Sequence, residues 1–275
     1  MIARALVQEY DSAARRPRAI EELLELRGSG ALLRALVERN IKVRYKRSAF
    51  GFLWTMLSPM LMLVVLSLVF TRAFAAEAPA YPAFVFPGLL LWSFFAQTTT
   101  MAGEEMTGGG DLWRRVRFPK TALAISTLLT NALNLALAVV PLIAVLAAVH
   151  RPLGVALLTL PLTVALTALF VLGVSLIVAT GALYFPDVVP AWNMLLPALM
   201  FTAPVIYPPA ILPAWLRPIV RANPMTLYVD AFRAPLYTND FPAASLLPMI
   251  AIAAATFATG WLLFTSRADD IAYRA

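Results

Sequence analysis

Only three lysines (Lys42, Lys46 and Lys120), one histidine (His150) and no cysteine occur among the 275 residues, and these few positions decide what chemistry is open to the chain. A phosphate loop needs contiguous amides ending in Gly-Lys-Ser/Thr, so that backbone and ammonium cradle one phosphate chain. No lysine here follows a glycine, which excludes that loop. A His/Cys zinc site lacks ligands. His150, beside Arg151 and Pro152, reads as a helix-end residue rather than a ligand. No Gly-x-Ser-x-Gly elbow frames a nucleophilic serine. The close acidic pairs are Glu21-Glu22, Glu104-Glu105 and Asp269-Asp270, and none has the Asp-x-Asp spacing of a metal-dependent membrane transferase. Catalysis is therefore not expected on this chain.

The elements that carry these residues belong to a membrane. The chain is 61% hydrophobic and 13% charged, whereas a soluble domain holds roughly half apolar and a quarter charged residues. Disorder and a disulfide-stapled fold are both excluded. The net charge of +7 is read against a membrane surface rather than nucleic acid. The first thirty residues mix Arg4, Arg15, Arg16 and Arg18 with Glu21, Glu22 and Glu25, and contain no apolar core of a cleavable signal.

A span needs about 20 apolar residues. Six segments qualify: Phe52 to Phe70, Pro82 to Met101, Ala122 to Val149, Leu153 to Leu183, Val189 to Tyr207 and Ala244 to Phe264. Seventeen Lys and Arg residues fall before, between or after them on one side and five on the other. The positive-inside rule then places both termini in the cytoplasm. The spans are nearly free of charge: Glu104 and Glu105 end the second, and Asp187 lies between the fourth and fifth. A proton- or sodium-coupled carrier normally needs a charge near the midplane, so energy is expected from another polypeptide.

Three segments do not span. Residues 31–48 hold an amphipathic helix, with Leu33, Val37, Ile41 and Tyr45 on one row and Arg34, Glu38, Lys42 and Lys46 on the next; such a helix lies in the cytoplasmic interface. Residues 103–120 form a polar loop with Gly108-Gly109-Gly110 followed by Asp111, a helix cap. Residues 208–242, outside, are cut into short pieces by Pro208, Pro209, Pro213, Pro218, Pro224 and Pro235. Half-helices re-entering the outer leaflet suit that composition. With no repeat or linker, residues 1–275 read as one all-α membrane domain, 1–30 being its cytoplasmic N-terminal segment.

The run from Arg39-Asn40-Ile41-Lys42-Val43-Arg44-Tyr45 through Lys46-Arg47-Ser48-Ala49-Phe50-Gly51-Phe52-Leu53-Trp54, with Ser58-Pro59 after it, resembles the opening signature of the ABC-2 type polysaccharide and polyol-phosphate export permeases. Tyr81-Pro82, Pro87-Gly88-Leu89-Leu90-Leu91-Trp92, Arg117-Phe118-Pro119-Lys120, Ala203-Pro204-Val205-Ile206-Tyr207 and Asn223-Pro224 are similar to further family motifs, in the family's order. Each is weak alone, and the ordered set is specific.

The resemblance implies a homodimer of six-span subunits in a bacterial inner membrane, paired with two separate ABC ATPase subunits that bind ATP and magnesium, with no cofactor on this chain. It implies coupling contacts to the ATPase at Glu104, Glu105, Asp111, Trp113, Arg114 and Arg115, and a second contact at Asp187. Arg39, Lys42, Arg44, Tyr45, Lys46 and Arg47 sit where the interface helix meets the ATPase or an anionic lipid-pyrophosphate headgroup; basic residues there also follow from topology alone. Sugar rings stack their C–H faces on aromatic planes, which makes Phe50, Trp54, Trp92, Phe95, Phe201 and Tyr207 candidate channel residues. Aromatic belts mark any membrane interface as well. The substrate class is a lipid-linked polysaccharide such as O antigen, galactan, capsule or teichoic acid. An ABC-2 exporter of a small molecule or drug, a polyprenyl-linked transferase and a membrane scaffold are the alternatives.

Overall fold

The computed structural model describes residues 18–46, 48, 51, 53–74, 80–108, 118–150 and 154–267, and every regular element among them is helical. Two helices come first, α1 (Arg18–Gly28) and α2 (Gly30–Tyr45). An apolar helix follows, α3 (Leu53–Phe70), then the two 28-residue helices α4 (Tyr81–Gly108) and α5 (Thr121–Ala148). A 3₁₀ turn (Val155–Thr159) leads into α6 (Leu160–Tyr184), and a three-residue reversal into α7 (Val188–Thr202). After a second 3₁₀ turn (Pro209–Ile211) come α8 (Arg217–Ala222), α9 (Pro224–Tyr237) and α10 (Ala243–Ser266).

Three helical stretches, Thr121–Ala148, Val155–Tyr184 and Ala243–Ser266, are each long and apolar enough to cross a membrane. Helices α3 and α7 are apolar but shorter. Helix α4 has the length, yet Ser93, Gln97 and Thr98 to Thr100 dilute it, because it is the interior helix: it touches α3, α5, α6, α7 and α9, and Tyr81, Val85, Phe86 and Leu91 are fully buried. Its polar residues bond locally: Thr98 and Thr99 hydroxyls donate to the carbonyls of Phe94 and Phe95, at 2.7 and 3.0 Å. Such back-bonding satisfies hydroxyls where water is absent.

Several boundaries differ from the sequence reading. Helix α4 continues through Glu104 and Glu105 to Gly108, so residues 103–108, expected in a polar loop, are helical; residues 109–117 of that segment lie outside the described residues. Helix α7 ends at Thr202 instead of Tyr207, since Pro204 disfavours helix at the residue before it. Its 15 residues extend about 22 Å. Helix α6 starts at Leu160 rather than Leu153, with Pro161 in its first turn, where the missing N–H costs no bond. The packed face of α2 is centred on Leu36 and Asn40, one residue before the expected Leu33-Val37-Ile41-Tyr45 row. Asn40 is 4% exposed and donates to Ser126 at 3.4 Å, so that face is partly polar.

The interior is closed by two devices. Helices α6 and α10 share the most extensive interface and approach at paired glycines. A Cβ on Gly260 would lie 2.3 Å from the Gly173 carbonyl oxygen, and one on Gly173 2.6 Å from the Phe257 nitrogen. The segment from Pro204 to Tyr237 is tied down by hydrogen bonds, two of them from residues of the motifs named above. The Tyr81 hydroxyl donates to the Ile206 carbonyl at 2.6 Å. The Asn223 amide donates to the Leu199 carbonyl at 3.0 Å while its oxygen caps α9 at Met225, also 3.0 Å. Arg233, expected in an outward loop, is 5% exposed. Its guanidinium donates to the carbonyls of Phe84, Pro204 and Val205 at 2.9, 2.9 and 3.1 Å. Gly88 leaves room for it, since a Cβ there would sit 2.7 Å from Nη2.

At the other end α1 docks on the mouth of the bundle. The Glu22 carboxylate accepts from the Thr121 backbone N–H and hydroxyl, at 3.0 and 3.1 Å. An anion at the first residue of α5 suits the positive end of the helix dipole. The Trp261 indole on α10 donates to the Ala19 carbonyl at 3.2 Å.

Candidate coupling and substrate sites

The cations of α2 are sorted by their partners. Glu38 holds Arg34 at 3.2 Å and Lys42 at 3.6 Å on the exposed side. Arg39 reaches across to α4 and pairs with Glu105 through both carboxylate oxygens. Arg44, at the end of the helix, turns inward and donates to the Asn131 and Gln97 side-chain oxygens at 3.1 and 3.4 Å, with the Met101 sulfur beside it. Lys46 is exposed and Tyr45 half-buried. Of this group Arg47 lies outside the described residues.

The Arg39–Glu105 pair fixes α2 against the end of α4. The Arg39 side chain is 39% exposed and that of Glu105 20%, so water screens much of the attraction and a coupling of about 1 kcal/mol is expected. A double-mutant cycle of Arg39→Gln and Glu105→Gln, read by thermal unfolding in detergent, should return that value. Strictly additive single effects would show that the pair contributes nothing.

Two cavities flank the pair and Arg44. One of about 570 Å³ is lined by Arg39, Asn40, Arg44, Glu104 and Glu105. The other, about 620 Å³, lies between the end of α2 and helices α3, α4 and α5. Arg44, Tyr45, Trp54 and Trp92, separate in sequence, meet on its walls together with Gln97 and Asn134. Four sequence-selected residues are thus brought to one place.

The remaining candidates scatter. Phe95 is 3% exposed and belongs to an aromatic column, stacked on Phe170 at 6.0 Å, which in turn stacks on Tyr228 at 4.7 Å. Phe201 is exposed at the end of α7, and the Tyr207 hydroxyl donates to its carbonyl at 2.7 Å. Glu104 is exposed on the last turn of α4, and Asp187 is exposed just before α7. Phe50, Asp111, Trp113, Arg114 and Arg115 lie outside the described residues.

Sequence reasoning missed the polar wall that receives Arg44. Thr127, Thr130, Asn131 and Asn134 stand at i, i+3, i+4 and i+7, which is one face of α5. Thr127, Thr130 and Asn131 are buried, and Asn134 donates to Asn131 at 3.3 Å. Two amides on one face of an otherwise apolar span were the available signal.

The described residues thus form an all-helical bundle of long apolar helices around a buried α4, the composition of a membrane-embedded domain. The chain belongs to the ABC-2 type transporter family, whose sequence profile matches residues 31–237. It is similar to the O-antigen export system permease protein RfbA of Myxococcus xanthus, 33% identical over 261 residues that cover 93% of this chain and 98% of the relative. A Klebsiella pneumoniae protein of the same name is 25% identical over 204 residues, 74% of this chain and 78% of that one.

Proposed function

We propose that this chain is the membrane subunit of an ATP-driven exporter that moves a lipid-linked cell-envelope polysaccharide out of the cytoplasm. The observation that carries this reading is the 33% identity, over nearly the full length of both chains, to a protein named as an O-antigen export permease. Two copies of the subunit pair with two separate ATPase subunits, which bind the ATP and magnesium. The complex sits in a bacterial inner membrane with both termini of this subunit cytoplasmic. Helices α3, α4, α5, α6, α7 and α10 are the six spans, and the segment from Pro208 to Pro242 re-enters the outer leaflet.

The exposed apolar flanks support the assembly. On α3 Leu61, Val65 and Leu68 are 53, 56 and 80% exposed, and on α7 Met194 is 81% exposed. Lipid or a second copy must cover such surface. Nucleotide-driven closure of the ATPase pair shifts the membrane subunits between states of different substrate affinity, through the segment holding Trp113 and Arg114 and through Asp187.

Co-expression with the neighbouring genes, gentle-detergent purification and an ATPase assay test the reading. A soluble subunit should co-purify with hydrolytic activity, and a silent preparation without partner would overturn it. Replacing Trp113 and Arg114 by alanine should cut export more than tenfold, because interface hot spots are each worth about 2 kcal/mol or more. Hydrolysis should persist in that variant. Normal export would remove this segment from the coupling path.

A further inference from the structure

We propose that Arg44 is the anion-recognising residue of the 620 Å³ cavity, and that the cavity takes the phosphate-ester headgroup of the lipid carrier. The inference rests on the reading of the substrate as lipid-linked, and it selects one cation among the several that sequence places at the interface helix.

Charge selects it first. Arg34 and Lys42 are answered by Glu38, and Arg39 by Glu105. Arg44 bonds only neutral oxygens, from Asn131 and Gln97; no described carboxylate pairs with it and none lines this cavity, while Glu104 and Glu105 share the neighbouring cavity with it without an ion pair to it. A half-buried cation that meets only amide dipoles has no counter-charge to cancel its field. The amides hold the guanidinium in place without neutralising it, so an arriving anion gains an oriented partner. Arginine suits phosphate because its planar fork bonds two oxygens at once.

The walls argue for the rest of the ligand. Ser48, Ser58, Ser93 and the Asn134 amide add neutral donors, as a multiply oxygenated headgroup requires. Trp54 and Trp92 contribute aromatic surface for the sugar next to the phosphate. The volume falls in the range of small-molecule sites, roughly 300–1,000 Å³. It therefore suits a headgroup with its first sugar rather than a polymer.

The position argues for a lipid. Trp54, Ser58 and Met62 face the cavity at i, i+4 and i+8 of α3. Leu57, Leu61 and Leu68, on the adjoining face, are 37, 53 and 80% exposed. An amphiphile can thus seat its head at Arg44 and lay its tail along α3.

The test uses the complex with its ATPase in phosphatidylcholine nanodiscs, and the probe is radiolabelled farnesyl diphosphate. Saturable binding is expected, weakened about tenfold or more by Arg44→Gln, partly restored by Arg44→Lys, and unchanged within about twofold by Arg34→Gln. Wild-type affinity in Arg44→Gln, or an equal loss in Arg34→Gln, overturns the proposal. Should Arg44→Gln fail to fold, Arg44→Lys decides, and wild-type binding by it overturns the need for the bidentate fork. Phosphatidylglycerol and inorganic pyrophosphate are the competitors. Competition by phosphatidylglycerol equal to that of unlabelled diphosphate assigns the site to bulk anionic lipid and overturns the carrier assignment. Pyrophosphate competing as well as the farnesyl compound overturns the lipid part. Export is measured separately: wild-type export with normal binding in Arg44→Gln defeats this site alone, while Arg44-dependent binding without any polysaccharide export defeats the proposed function alone.

Discussion

Arg233→Met is expected to lower the thermal unfolding midpoint of the detergent-solubilised protein by roughly 5–10 °C, from a loss of about 3–5 kcal/mol. The guanidinium supplies donors to three carbonyls, those of Phe84, Pro204 and Val205; the Phe84 carbonyl lies within α4 and keeps its helical ladder, whereas those of Pro204 and Val205, buried beyond the end of α7, lose their donor when it is removed. An orphaned acceptor costs about 1–3 kcal/mol. The ring of Phe84, 3.9 Å beneath the guanidinium carbon, also loses a cation–π contact, while Asp230 is half-exposed and can hydrate. Methionine fills similar volume, so the change reads the polar bonds rather than a void. Arg233→Lys should recover only part, since one ammonium cannot serve carbonyls from two separate segments with the geometry of a fork. An unchanged midpoint in the methionine variant would show that these carbonyls find other donors.

Gly260→Leu is expected to abolish recovery of monodisperse protein, and Gly260→Ala to cost about 3 kcal/mol, the upper end of ordinary overpacking. The atoms in the way are backbone. A methyl on Gly260 meets the Gly173 oxygen at 2.3 Å, and one on Gly173 meets Thr256 and Phe257 main chain. Neither side can turn aside, so α6 and α10 must separate. Close approach at small residues contributes much of helix association within lipid, where burial gives no hydrophobic gain. Gly30→Ala, at a position with nothing within 4 Å, serves as the control and should be tolerated. Equal recovery of Gly260→Leu and Gly30→Ala would mean the two helices do not cross there.

How much of this was legible depended on the kind of signal. Helices α3, α5 and α10 start and stop within two residues of the apolar runs that announce them, because charge or glycine bounds those runs. The end of α7 was misplaced by five residues: hydropathy continues past Thr202 although Pro204 breaks the helix. The motifs were visible as residue strings, yet their partners were not. Tyr81 bonds Ile206 across 125 residues and Arg233 bonds Phe84 across 149, separations that no local pattern encodes. Topology placed Arg233 in an outward loop because charge counts take no account of carbonyls able to enclose a cation. For the cavity, Arg44, Trp54 and Trp92 were each singled out by type. Their meeting with Gln97 and Asn134 needed the crossing of four helices.

The contact between Trp261 and Ala19, 242 residues apart, implies an order of assembly. Helix α1 leaves the ribosome before the other described helices, but its seat on α10 does not exist until some 242 further residues have been made. At translation rates of about 5–20 residues per second, the opening helix waits roughly 10–50 s with Ile20, Leu23 and Leu24 uncovered. Those side chains remain 49, 51 and 44% exposed even in the finished fold. During that interval the nascent chain presents a short sticky amphiphile to chaperones and to the bilayer surface, and its docking is the stitch that closes the subunit.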